Sequence, residues 1–192
     1  MLVLILGLAL FLGTHSVRLV ADDWRTRQVS RFGELRWKGL YSIVSIAGFV
    51  LIVWGYGLAR LDPVYLWFAP VWTKHLAALL TLPAFVLLVA AYVPRTRIRA
   101  RIGHPMLAGT KLWALAHLIA NGTLADVLLF GSFLIWAICA FIVSRRRDRY
   151  AGVLRKAGGI RQDALAVAIG ILAWYVFASY AHAWLFGVAP FG

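Results

Sequence analysis

Charged residues, acidic residues and cysteine are all scarce in this 192-residue sequence. Only 14% of the residues are charged, only 7 are Asp or Glu, and 62% are hydrophobic, with a mean hydropathy of +0.82. A soluble domain of this length needs more polar surface. The single cysteine, Cys139, excludes an internal disulfide and a cysteine-based metal cage. No internal repeat, low-complexity tract or second domain is visible, so we expect one integral membrane domain over residues 1–192.

Six apolar runs follow one another along the chain, each about as long as a helix needs to be to cross a hydrocarbon core of about 30 Å. They cover residues 2–20, 39–59, 71–92, 105–121, 124–143 and 164–186. The sequence therefore predicts an all-α, polytopic membrane bundle of six transmembrane helices. No basic residue precedes the first run, which favours an uncleaved first helix with its amino end outside.

The basic residues are distributed very unevenly around these runs. Eighteen of the 20 Lys and Arg lie in or beside the connections 21–38, 93–104 and 144–163, and only Arg60 and Lys74 lie on the opposite side. Cytoplasmic loops carry such an excess and face anionic lipid. We therefore predict a multi-pass protein of the bacterial inner membrane with both termini periplasmic and the basic loops cytoplasmic. The net charge of +13 is then explained by a lipid partner and not by nucleic acid, and a homo-oligomer is compatible with it.

Local motifs indicate how some of the predicted helices end and pack. The residues Thr123 to Asp126 form a capping-box pattern directly after Asn121-Gly122, so the fourth and fifth spans should be an antiparallel pair and Asp126 a cap. Small residues let membrane helices approach closely. The glycines expected to do so are Gly7, Gly13, Gly48, Gly55 and Gly57.

Two of the five histidines are predicted to share a depth in the membrane. His15 lies about 13 Å inside a boundary near Trp24, and His117 lies about 9 Å beyond Lys111. Two interpretations remain open. The imidazoles are either unrelated polar side chains bonded to backbone or hydroxyl groups, or they are the axial ligands of a haem held between two helices.

A haem between these histidines would require basic groups near its propionates and a wall on the fourth span. The candidates are Arg18, Arg101 and Lys111 for the propionates, and the i, i+4, i+8 stripe of Trp113, His117 and Asn121 for the wall. The same stripe could instead serve helix packing. Zinc is a weaker expectation, because no H-x-x-x-H or carboxylate–histidine cluster is present.

The other three histidines have simpler interpretations. His75 and His182 are expected to be interfacial or hydrogen-bonded residues near the outer ends of their spans. His104 precedes Pro105, which suits the first position of a helix. It either caps that helix or binds an anion beside the neighbouring arginines.

Three sequence blocks resemble the NnrU family over nearly the whole chain. They are F-L-G-T-H-S-V-R at 11–18, G-H-P at 103–105 and K-L-W-A-L-A-H-L-I-A-N-G at 111–122. That family consists of multi-pass membrane proteins linked to denitrification and nitric oxide metabolism, and it is similar to the 15-cis-zeta-carotene isomerase of plants and cyanobacteria. The resemblance implies a membrane protein acting in nitrite and nitric oxide metabolism, or a haem-dependent isomerase of a hydrophobic, carotenoid-like substrate.

The resemblance also implies a cofactor and its ligands. In the isomerase, haem b is held by one histidine in the first block and one in the Trp-x-Leu-Ala-His element, and these match His15 and His117. The isomerase has a cysteine three positions before the second ligand, proposed to exchange as an iron ligand. Here that position is Ala114, so isomerisation by ligand exchange with a thiolate is not expected.

Two other functions are compatible with the sequence. The His-Pro block is also similar to that of isoprenylcysteine methyltransferases, which hold S-adenosylmethionine with a later Tyr/Glu motif. The stretch 148–154 keeps Tyr150 but lacks the Glu. A non-enzymatic assembly factor is the third possibility, and in that case the stripe on the fourth span should face neighbouring helices without a cavity.

Overall fold

The structure, a computed structural model, describes residues 1–190, and within them all regular structure is helical apart from one isolated bridge between Tyr65 and Thr123. The helices are α1 (Leu2–Val20), α2 (Asp22–Phe32), α3 (Glu34–Ala59), α4 (Val71–Tyr92), α5 (Arg97–Ile102), α6 (Pro105–Ala120), α7 (Leu124–Tyr150), α8 (Ile160–Val176) and α9 (His182–Phe186), with a π-helical turn at Phe177–Ala181. The last two residues of the predicted 1–192 domain lie outside the described residues. That single-domain assignment stays a prediction.

Within residues 1–190, five helices are long and apolar enough to cross a membrane. They are α1, α3, α4, α7 and the continuous helix Ile160–Phe186 formed by α8, the π-helical turn and α9. The predicted class, an all-helical membrane protein, is therefore confirmed. The predicted fourth span corresponds to α6, whose 16 residues rise only about 24 Å. The sixth crossing and the sidedness of the termini stay predictions.

Three predicted boundaries were wrong, each within a basic segment, and one of them is the start of α8 at Ile160, before the predicted residue 164. The connection 21–38 is largely helical, because it contains α2 and the start of α3 at Glu34. The fifth span continues to Tyr150, well past the predicted end at residue 143. Arg, Lys and Glu are good helix formers, and Lys38 pairs with Glu34 one turn away at 2.7 Å. Helices therefore continue after the apolar run that defines a span has ended.

The chain divides into two compact units, and the first consists of residues 1–66 and 123–132. In this first unit α1 packs along α3. A Cβ added at Gly7 would lie 2.6 Å from the backbone nitrogen of Ile52, and one at Gly48 would lie 2.8 Å from that of Phe11. A Cβ at Gly55 would overlap the backbone of Leu4. The predicted close approach is confirmed at these three glycines.

The same prediction was wrong at two other glycines. A Cβ added at Gly13 or at Gly57 would meet nothing within 4 Å. Both residues belong to the same two helices as the contacting glycines, but they lie on faces turned away from the α1–α3 contact. Glycine content alone does not show which face of a helix is the packed one.

The capping box at the start of α7 is confirmed. The backbone N–H and the hydroxyl of Thr123 donate to Asp126 Oδ2 at 3.0 and 2.6 Å, and the Asp126 N–H donates to Thr123 Oγ1 at 3.2 Å. The sequence did not predict a further bond, from the Tyr56 hydroxyl to Asp126 Oδ1 at 2.5 Å. Asp126 is buried, so this one carboxylate ties the start of α7 to α3 within the first unit.

Replacing Asp126 with alanine should lower the free energy of unfolding by about 2 to 4 kcal/mol, because a helix cap is lost and buried donors are left without acceptors. Thermal or denaturant unfolding in detergent measures the effect. Thr123→Ser is the matched control, since it keeps the capping hydroxyl and should change stability little. Equal stability of the two variants would show that neither the Asp126 cap nor the Tyr56–Asp126 bond contributes measurably.

The second unit consists of residues 67–122 and 133 onward. Here α4 packs against α6 and α8, again through glycines. A Cβ at Gly109 of α6 would lie 2.9 Å from the Ala84 carbonyl oxygen, and one at Gly170 of α8 would lie 2.6 Å from Val86 Cα. The α4 backbone therefore lies directly between those of α6 and α8, and the three helices pack closely.

Within the second unit, α6 runs antiparallel to the later part of α7. Trp113 meets Phe133 with ring centroids 5.5 Å apart. The ammonium of Lys111 lies 3.8 Å from the ring centroid of Phe141. His104, before the start of α6, bonds to Asp148 near the end of α7. The residue numbers of the contacts increase along α7 as those of their partners in and before α6 decrease. This confirms the predicted antiparallel pair.

Candidate functional site

A cavity of about 310 Å³ lies within the second unit, among α4, α6 and the C-terminal helix. Its walls are mostly apolar and aromatic, with a small number of polar groups, which is typical of a site for a small organic ligand. The polar and aromatic lining residues include Lys74, Thr81, Trp113, His117, Asn121, Trp174, Phe177 and His182. Lys74 is the only Lys or Arg in this described lining.

The face that α6 presents to the cavity is the stripe predicted from the sequence. Trp113, His117 and Asn121 all line it. The side-chain amide of Asn121 donates to the His117 carbonyl at 2.8 Å, and its backbone N–H donates to the same oxygen at 3.0 Å. Ala114 and Ala116, on other faces of α6, are fully buried. Packing therefore fixes the rotation of α6 so that the stripe faces the cavity.

His117 is held in one defined tautomer. Its Nδ1 lies 2.8 Å from the Trp113 carbonyl oxygen, and since a carbonyl only accepts, Nδ1 carries the hydrogen. The neutral ring then has its lone pair on Nε2. Metal-binding histidines commonly have this arrangement, in which a backbone carbonyl orients the ring through the other nitrogen. The geometry of His117 is therefore suited to an iron ligand.

A second imidazole, that of His182, lines the same cavity. Its ring centroid lies 6.5 Å from that of His117, with 24° between the ring planes. Its Nδ1 donates to the Val188 carbonyl at 2.7 Å, so the neutral ring again has its lone pair on Nε2. The expectation of a hydrogen-bonded residue is confirmed. However, sequence reasoning missed its place beside His117.

The π-helical turn before His182 explains part of that omission. A π-turn inserts one extra residue into an α-helix and is frequent at functional sites. Here Phe177 at its start and Ala178 inside it both line the cavity. One signal was available, because Trp174, Ala178 and His182 repeat the four-residue spacing of the α6 stripe. On the opposite wall, the Trp174 indole N–H donates to Thr81 Oγ1 at 3.1 Å, linking α8 to α4.

The predicted haem ligand His15 belongs to the first unit. Its Nδ1 donates to the Phe11 carbonyl at 2.7 Å, so its local geometry repeats that of His117. Its ring contacts those of Phe11 and Tyr41 at centroid distances of 4.2 and 5.3 Å. Arg18 lies 4.0 Å from Asp22 with a largely exposed side chain. The pairing of His15 with His117 stays a prediction from the sequence.

The other predicted basic residues lie away from the cavity wall. Lys111 stacks on Phe141 of α7 and is not among the residues that line the cavity. His104 does not cap α6 with its side chain. Instead its Nε2 lies 2.8 Å from Asp148 Oδ2, and Arg155 bonds to the same oxygen at 2.5 Å. A role for Lys111 at haem propionates stays a prediction, and His104 belongs to a separate polar group.

The comparisons with known proteins agree with the sequence blocks. The family model described as "NnrU protein" matches residues 3–190. No curated protein and no solved structure shows significant similarity to the chain.

Proposed function

The chain belongs to the NnrU family, and on that premise we propose that it binds haem b through His117 and acts in nitrite and nitric oxide metabolism. Isomerisation of a hydrophobic, carotenoid-like substrate on the same haem is the second activity that the resemblance implies. The observation that supports the proposal best is the position of His117, with its Nδ1 tied to a carbonyl, in an aromatic cavity.

The residues around the cavity fit a haem in three respects. The neutral imidazole of His117 has its lone pair on the nitrogen that iron ligation uses. The walls are apolar and aromatic, as the faces of a porphyrin require. Lys74 can meet an anionic propionate in the same lining. When bound, haem would supply an iron centre for redox chemistry or ligand binding.

The protein groups themselves contribute orientation and the exclusion of water. The Trp113 carbonyl fixes the ring of His117, while Trp113 and Phe177 make the wall apolar. A dry site strengthens every charge interaction within it. A purely structural assembly factor would be expected to fill this space with side chains. The cavity beside the α6 stripe therefore favours a ligand-binding protein.

Two histidines compete for the second axial position. The resemblance assigns it to His15, and the proposal keeps that assignment. His182 is the alternative, because it shares the cavity with His117. We expect His15→Ala to convert a six-coordinate, low-spin haem to a high-spin form, since one of its two nitrogen ligands is lost. His182→Ala should leave the spin state unchanged.

Optical and electron paramagnetic resonance spectra of the purified, haem-loaded variants measure this. If His182→Ala were high-spin and His15→Ala remained low-spin, the second axial ligand would be His182 and not His15. The role of His117 would be unchanged. Absence of a Soret band from the unmodified protein, produced in haem-replete cells, would refute the whole proposal.

A further inference from the structure

A second polar group of the second unit lies apart from the cavity, where α6 begins and α7 ends. It consists of Gly103, His104, Arg145, Asp148 and Arg155, and we call it the basic corner. His104 and Arg155 both bond to Asp148 Oδ2. Only 15% of the Asp148 side chain and 22% of the Arg155 side chain are exposed. The corner is therefore a preorganised group of partly buried charges.

Glycine at position 103 gives the arginines room to gather. Its φ of 82° is a conformation that favours glycine. A Cβ there would lie 2.7 Å from Arg145 Nη1 and 3.4 Å from Arg155 Nη1. Two guanidinium groups, one on α7 and one in the loop after α7, therefore converge on one backbone position that carries no side chain. Placing two like charges this close is unfavourable unless an anion lies between or beside them.

The described residues of the surrounding segments supply too few anions. Segments 93–104 and 144–163 contain eleven Lys and Arg but only two acidic residues, Asp148 and Asp163. Asp163 already accepts the backbone N–H groups of Arg97 and Ile98 at 2.7 and 3.3 Å. Asp148 is occupied by His104 and Arg155. Arg145 makes no ion pair with either carboxylate, so the corner keeps an excess of positive charge.

Space for a ligand adjoins the same backbone turn. A cavity of about 220 Å³ is lined by Gly103 and His104, by Arg99 of α5 and by the first residues of α6. The corner follows the apolar part of α7, which gives way to polar and basic residues at Ser144. That is the level at which lipid headgroups meet a membrane helix.

We propose that the basic corner binds a phosphate group, as carried by an anionic membrane lipid. Guanidinium groups match phosphate oxygens through two parallel hydrogen bonds. Arg145 does not itself line the adjoining cavity, but its Nη1 lies beside the lining residue Gly103, and Arg145 provides the principal contact because Asp148 does not neutralise it. Arg155 and Arg99 flank the site, and the Asp148 pairings hold His104 and Arg155 in place. The site is independent of the haem proposal and of His117.

Arg145→Gln tests the assignment, because it removes the principal cation without disturbing the bonds to Asp148. The full-length protein in detergent is titrated with phosphatidylglycerol, phosphatidylcholine or inorganic phosphate, and binding is followed by native mass spectrometry. We expect Arg145→Gln to weaken phosphatidylglycerol binding about tenfold, since a charge-assisted contact is lost. The affinity of Arg145→Lys should lie between those of the unmodified protein and Arg145→Gln, because lysine keeps the charge but lacks the paired donors of the guanidinium group.

Arg146→Gln is the matched control, with the same charge change on the same helix at an exposed position. It should alter binding by less than about twofold, because exposed single charges contribute little. Equal losses in Arg145→Gln and Arg146→Gln would overturn the proposal in favour of diffuse surface attraction. If millimolar inorganic phosphate displaced the lipid, and only when Arg145 was present, the corner would still be a phosphate site. Its ligand would then be the free ion and not a lipid headgroup.

Discussion

Replacing His117 with alanine is expected to remove nearly all bound haem, leaving less than about a tenth of the Soret absorbance per protein. The ring of His117 lines the cavity, and its Nδ1–H···O=C bond to Trp113 presents Nε2 as the donor. Loss of an axial imidazole removes the bond that holds the iron at this position. Absorbance spectra of protein purified from haem-replete cells give the measurement.

Two controls separate this result from misfolding. His75→Ala changes an exposed histidine outside the cavity and should retain full haem. Added imidazole should restore binding to the His117→Ala protein, because truncation leaves space for the free ligand in the cavity. Full haem content in His117→Ala would exclude it as a ligand. A deletion strain carrying His117→Ala should also fail to recover nitrite and nitric oxide reduction that the unmodified gene restores.

The second large effect is expected at the α1–α3 contact. Gly55→Leu would place a side chain where the backbone of Leu4 already lies, and a backbone atom cannot give way as the end of a flexible side chain can. We expect the variant to lose about 3 kcal/mol or more of stability, at or beyond the upper end of overpacking effects. A lower unfolding temperature and a lower yield of monodisperse protein in detergent would measure it.

Gly57→Leu provides a control on the same helix with the same substitution. Nothing lies within 4 Å of a Cβ at Gly57, and leucine is the better helix former by somewhat under 1 kcal/mol. This variant should be as stable as the unmodified protein or slightly more so. If both variants lost stability equally, the cause would be the added hydrophobic surface and not the helix contact.

The amino-acid sequence determined the membrane class and most of the helix positions. In lipid, the backbone N–H and C=O groups of an apolar run must be paired within a helix. The apolar runs therefore predict the helices, and α1 and α4 begin and end at the predicted residues. Predictions from local patterns were also correct where the interacting residues are close in sequence. The Thr123–Asp126 capping box and the stripe of Trp113, His117 and Asn121 on α6 depend only on spacing within one turn or one helix.

Sequence reasoning failed where the outcome depends on what a neighbouring helix brings. His182 comes beside His117 through a π-turn and helix packing. The four-residue spacing of Trp174, Ala178 and His182 indicates a shared face, but it does not show which helix that face meets. Lys111 stacks on Phe141 of another helix, while Gly55 is packed and Gly57 is open.

The physical reason is the same in each case. Hydrophobicity and hydrogen bonding along the backbone are properties of short segments, and they decide where helices form. The rotation and approach of one helix against another depend on the shapes of both surfaces. Only the tertiary structure therefore decided that one cavity has two imidazoles on its wall and that the basic corner forms around Gly103.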